Sequence, residues 1–126
     1  MFPEIIKNIA IVGVGSFVGG AVRYIISVAI KGVSKGFPFA TLLVNLAGCL
    51  LIGVLWGFLS KALSTDSRWA LFLMVGLCGG FTTFSTFSKE VLAMLQAGSL
   101  FGALAYVSIS VVAGVCLVAA GFYLTR

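Results

Sequence analysis

The chain has 126 residues, 61% of them apolar and only 9% charged, with a net charge of +5 and a mean hydropathy of +1.23. A soluble domain carries about 25% charged residues, so this is the composition of an integral membrane protein. There is no histidine, and Glu4, Asp66 and Glu90 lie far apart along the chain, so neither a side-chain transition-metal site nor histidine-dependent catalysis is expected.

Four apolar runs predict one domain, residues 1–126, of four transmembrane helices at about 5–30, 37–59, 69–95 and 99–124. Each run exceeds the ~20 residues a helical crossing needs. None shows the ~10-residue alternating segments of a membrane barrel. Lys7, Lys31, Lys35, Lys61, Arg68 and Arg126 sit at the run ends, where basic side chains reach lipid headgroups rather than nucleic acid. Trp56 and Trp69 lie near span ends, as aromatic-belt residues do.

The first run follows Glu4, with no small-residue cleavage site after a short apolar stretch, so no removable signal peptide is expected. Within it Gly15, Gly19 and Arg23 recur at intervals of four and share a helix face. A guanidinium at the centre of a bilayer costs roughly 2.5–3.5 kcal/mol. Arg23 therefore either snorkels or lines a vestibule that attracts anions. Lys31 to Gly36 makes a polar turn, and Pro38 suits the first turn of the second helix. Thr41, Asn45, Cys49, Gly53 and Gly57 repeat the four-residue interval there. The small residues let helices approach closely. The Asn45 amide needs a partner or water at that depth.

Ser60 to Arg68 forms the second polar link, and the third run follows. Gln96-Ala97-Gly98 precedes the uncharged fourth run, where Gly102, Tyr106, Ser110 and Gly114 again fall four apart. Cys49, Cys78 and Cys116 occupy three different runs; they read as small buried packing residues, not a disulfide framework.

The third run contains Gly79-Gly80-Phe81-Thr82-Thr83-Phe84-Ser85-Thr86-Phe87-Ser88. Adjacent glycines and five hydroxyl side chains are a poor recipe for an uninterrupted helix. Irregular backbone in hydrocarbon survives only where protein buries it or a polar cavity receives it. The expectation is an ion site. Ring edges of Phe84 and Phe87 with hydroxyl and amide donors suit a small anion; freed backbone carbonyls suit sodium.

This stretch, continued through Lys89-Glu90, resembles the signature of the Fluc fluoride channels, also called the CrcB family. The similarity extends to Gly19-Gly20-Ala21-Val22-Arg23-Tyr24 and to Thr41-Leu42-Leu43-Val44-Asn45-Leu46-Ala47-Gly48. The resemblance implies an all-α membrane protein, its third helix broken in mid-membrane, assembled as an antiparallel dual-topology homodimer with two fluoride pores. It implies passive export of cytoplasmic fluoride across a bacterial cell membrane. Phe84 and Phe87 match the pore phenylalanines, and Asn45 the pore amide. Thr83, Thr86, Tyr106 and Ser110 match the polar track. Arg23 and Glu90 match vestibule positions. Gly79 and Thr82 match residues whose backbone carbonyls, from both subunits, hold a structural sodium ion. Gly114 departs from relatives with a serine there, leaving the lower end of the track without that hydroxyl.

Charge is compatible with dual topology. Lys7, Lys61, Arg68 and Arg126 fall on one side, with Lys31, Lys35 and, if the third helix ends early, Lys89 on the other; orientation follows such asymmetry. A single fixed orientation is the alternative. Two rival functions have sequence signatures of their own. A small proton-coupled multidrug exporter needs a mid-membrane carboxylate, for which Glu90 is the candidate. A non-transporting assembly protein would use the small-residue faces alone. An enzyme is the least expected class, because no nucleophile–base pair appears.

Overall fold

The computed structural model describes residues 1–32, 36–62 and 67–126. Every regular element among them is helical: α1 (Phe2–Ile30), α2 (Phe39–Ala62), α3 (Arg68–Ala70), a π-helical segment (Leu71–Cys78), α4 (Gly79–Phe81), α5 (Phe84–Gln96) and α6 (Leu100–Thr125). Four stretches, Phe2–Ile30, Phe39–Lys61, Arg68–Gln96 and Leu100–Thr125, are long and apolar enough to cross a membrane. The protein is a multi-pass, all-helical membrane protein.

Two glycine seams hold the helices together. In the first, α1 lies against the π-helical segment and α4. A Cβ on Gly15 would stand 2.6 Å from the Phe72 carbonyl oxygen, and one on Gly80 would stand 2.5 Å from that of Ser16. Backbone meets backbone there, which only glycine allows. In the second seam α2 lies against α6, with Gly53 on the Val118 carbonyl and Gly121 against Leu50 and Val54. Thr125 Oγ1 lies 3.0 Å from the Val54 carbonyl oxygen and closes this seam at its end.

The ends agree with four alternating crossings. Arg68 Nη2 and Glu4 Oε1 are 3.8 Å apart, both exposed, so the start of α3 sits beside the start of α1. Such a surface pair contributes little energy. α5 stops in a Schellman turn: Gly98, at φ +81, donates to the Leu95 carbonyl and Ser99 to that of Met94.

Several local expectations change. α2 runs past Leu59 because Ser60 turns its hydroxyl back onto the Gly57 carbonyl at 3.1 Å, satisfying a polar side chain within the helix. Pro38 precedes the helix and its carbonyl accepts from Leu42. Cys78 is buried, but Cys116 is exposed on the outer face of α6, where a small apolar thiol is compatible with lipid. The π-helical turns carry no mark in composition; they occur where Gly76 meets Val12 and Gly15 of α1. Residues 33–35 and 63–66, within the two expected polar links, lie outside the described residues.

Candidate functional site

Helical backbone ends at Phe81 and resumes at Phe84, with Thr82 at φ −90, ψ 160 and Thr83 at φ −150, ψ 119. Local chemistry favours this stop. The Thr82 N–H closes on the Cys78 carbonyl at 3.0 Å, and its hydroxyl bonds to the same oxygen at 2.9 Å, so both lone pairs of that carbonyl are used by one residue. The Thr83 side chain accepts from the Thr86 N–H at 3.2 Å and so caps α5. Asn45 of α2 meets the peptide of Thr83 with both ends of its amide. Its Nδ2 donates to the Thr83 carbonyl at 3.1 Å, and its Oδ1 accepts from the Thr83 N–H at 2.8 Å. Arg23 of α1 donates through Nε to the Gly80 carbonyl at 3.1 Å.

A cavity of about 340 Å³ adjoins the two extended residues, lined among others by Asn45, Gly79, Thr82, Thr83 and Phe84. One helix end on each side gives this region a split polarity. The segment before the break ends in carbonyls and α5 begins in N–H groups, a polarity that favours positive charge at the first and negative charge at the second, although the Gly80 carbonyl is engaged by Arg23 and the Thr86 N–H by Thr83. The Phe84 and Phe87 ring centroids are 5.8 Å apart. Phe87 in turn meets Tyr106 edge-on at 4.9 Å.

Tyr106 has no exposed surface. Its hydroxyl donates to Glu90 Oε1 at 2.9 Å, while Thr41 Oγ1 donates to Glu90 Oε2 at 3.0 Å. Each carboxylate oxygen thus has its own donor. A second cavity of about 280 Å³ is lined by Arg23, Thr41, Thr83 and Thr86 among others. A third, of about 670 Å³, carries Lys31, Lys89 and Glu90.

The chain matches the family model described as CrcB-like protein, Camphor Resistance (CrcB), over residues 10–122. The chain belongs to the CrcB family. Among its relatives is a protein from Prosthecochloris aestuarii, 42% identical over 123 residues, 98% of this chain and 96% of the relative. Another, from Desulfotalea psychrophila, is 39% identical over 121 residues, 96% and 94% of the two chains. A third, from Flavobacterium psychrophilum, is 39% identical over 121 residues, 95% and 98%. Each of these relatives is named fluoride-specific ion channel FluC.

In this CrcB-family chain the residues singled out from sequence fall into connected groups. Asn45, Gly79, Thr82, Thr83 and Phe84 share one cavity, and Arg23, Thr83 and Thr86 another. Phe84, Phe87, Tyr106 and Glu90 form a chain of contacts. Ser110 stands apart: its hydroxyl is buried with no hydrogen-bond partner among the described residues. Thr41 and the Gly80 carbonyl were not expected as site groups. Thr41 stands four residues before Asn45 on the same stripe, which was the available signal. The Gly80 carbonyl gave none, because a backbone acceptor is invisible in residue type.

Proposed function

We propose that this protein is a fluoride channel: an antiparallel homodimer, inserted in both orientations, passing fluoride passively through two pores and so exporting it from the cytoplasm. The interruption at Thr82–Thr83 lies in mid-membrane, where it replaces the water of a small anion. Fluoride is strongly hydrated, so a selective pore must supply donors yet bind weakly enough, at several sites, to release the ion. Thr83, Thr86, Tyr106 and Ser110 supply hydroxyls. Asn45 has one amide hydrogen beyond the one used on Thr83. The rings of Phe84 and Phe87 turn positive edges to the anion and keep the passage narrow.

The observation that carries this reading is the ring pair at the first turn of α5, 5.8 Å between centroids, beside a helix N-terminus that favours negative charge. The names of the relatives agree with it. Phe84 is 79% exposed in the single chain, as a side chain awaiting a second subunit would be. The carbonyls of Gly79 and Thr82, with their counterparts in that subunit, hold a structural sodium ion at the interface. Arg23 and Glu90 flank the vestibule. The exporter alternative draws less support, since both Glu90 carboxylate oxygens are engaged by hydroxyls.

Phe84→Ile and Phe87→Ile test the reading in fluoride-loaded proteoliposomes, with size-exclusion profile and circular dichroism as checks of fold. Loss of one of the two ring edges is expected to slow efflux roughly tenfold in either variant, which corresponds to about 1.4 kcal/mol. Wild-type efflux from a correctly folded variant would remove its ring from the pore.

A further inference from the structure

We propose that Asn45 and Arg23 are positioning residues: they hold Thr82–Thr83 extended against a competing continuous helix, and so keep the Gly79 carbonyl free. In an unbroken α-helix each N–H donates to the carbonyl four residues earlier. Thr83 would then donate to Gly79, and Phe84 to Gly80. In the structure the Thr83 N–H is engaged elsewhere, and one of the two lone pairs of the Gly80 carbonyl is taken. Asn45 Oδ1 takes the Thr83 N–H at 2.8 Å, and Asn45 Nδ2 fills the Thr83 carbonyl at 3.1 Å. Arg23 Nε fills the Gly80 carbonyl at 3.1 Å. The donor that would have closed on Gly79 is thus held by another helix, and Gly79 lines the 340 Å³ cavity.

The seams are built to bring these two side chains in. Arg23 is the next position on the stripe of Gly15 and Gly19, the two buried residues of α1. Gly48, one turn beyond Asn45, packs on the methyl group of Thr82, where any Cβ would overlap it. Local propensity alone does not decide the conformation, because Thr83 and Phe84 are both tolerated inside helices at a modest penalty. The decisive term is satisfaction. An unpaired N–H in hydrocarbon costs several kcal/mol, so Thr83 adopts whichever conformation gives its N–H an acceptor. Asn45 supplies one for the extended form; Gly79 supplies the one for the helical form.

This inference deepens the channel reading and rests on it only for the meaning of the free carbonyl. Its test is conformational. Protein labelled at threonine and glycine is studied in lipid bilayers by solid-state NMR, reading the Cα and Cβ shifts of Thr82 and Thr83, which separate extended from helical backbone. Wild type gives extended shifts at both. Asn45→Ala is expected to move Thr83, and Thr82 with it, to helical values. Extended shifts retained in folded Asn45→Ala would overturn the proposal, leaving Asn45 as a direct ligand at most.

Adding Phe84→Pro to Asn45→Ala is expected to restore the extended shifts. Proline at the first helical position lacks the N–H that would close on Gly80 and disfavours helical backbone in the residue before it. No restoration would count against the competing helix. Should Asn45→Ala not fold, Arg23→Lys decides. Lysine keeps the charge and lacks the Nε donor, so the Gly80 carbonyl shift moves if the bond matters. An unmoved Gly80 carbonyl would overturn the role of Arg23. None of these readings requires ion flow, so a wild type that conducts no fluoride would sink the channel reading separately.

Discussion

The two glycine seams use the same device and reach opposite ends. Along α2 and α6, Gly53, Gly57 and Gly121 bring backbones together, and both helices continue without interruption. Along α1 and the third span, Gly15, Gly19, Gly76 and Gly80 do the same, yet helix gives way to π-helical turns and then to two extended residues. The difference lies in the polar side chains that the close approach carries in. At the α2–α6 seam the arriving hydroxyl, Thr125, stays near carbonyls already within helices. At the other seam Arg23 reaches a carbonyl at the helix end, and Asn45 of α2 meets the peptide that follows. Close packing is therefore common to both regions, while the supply of replacement partners is not.

Substitutions within the α1 seam should disturb the molecule most. A Cβ at Gly19 would overlap the Leu77 carbonyl oxygen and lie 2.7 Å from the Phe81 N–H nitrogen, whereas one at Gly20 meets only the Gly80 carbonyl oxygen at 3.9 Å. Gly19→Ala is expected to lose at least about 1–3 kcal/mol through overpacking, read as reduced thermal stability in detergent, and Gly20→Ala almost nothing. Equal effects would mean the seam is looser than described.

Next in size is Asn45→Asp. A fixed carboxylate keeps the acceptor for the Thr83 N–H, faces the Thr83 carbonyl without a donor, and adds negative charge beside the proposed anion path. Fluoride current in planar bilayers is expected to vanish; undiminished current would separate Asn45 from conduction. At the opposite seam, Thr125→Val removes one hydroxyl, worth about 0.6 kcal/mol by comparison with membrane interhelical hydrogen bonds. It should lower the melting temperature slightly and leave fluoride efflux unchanged. A large loss of efflux would show that the closed seam also shapes the pore.

Much of this arrangement was legible in residue order. The helices could be drawn because apolar runs of that length have few other solutions. The glycine faces of α1 and α2 followed from a spacing of four, whereas Gly76, Gly80 and Gly121, which complete the two seams, lie outside those stripes; the Gly79–Ser88 stretch stood out by its glycines and hydroxyls. What remained hidden depends on partners distant in the chain. Asn45 and Thr83 are 38 residues apart, and Arg23 and Gly80 57, so no local pattern pairs them. Glu90 lay open to several readings until Thr41 and Tyr106 were seen donating to its two oxygens. The π-helical turns were hidden for a related reason: they belong to the packing of Gly76 against α1, not to the propensity of Leu71–Cys78.

The most direct test of the central claim, that the ring pair beside the helix end passes fluoride selectively, is halide efflux from vesicles holding the purified wild-type protein. A fluoride electrode should record rapid release from fluoride-loaded vesicles, and a chloride electrode no release above protein-free controls from chloride-loaded ones. Absence of fluoride release, or release of both halides at similar rates, would contradict the account.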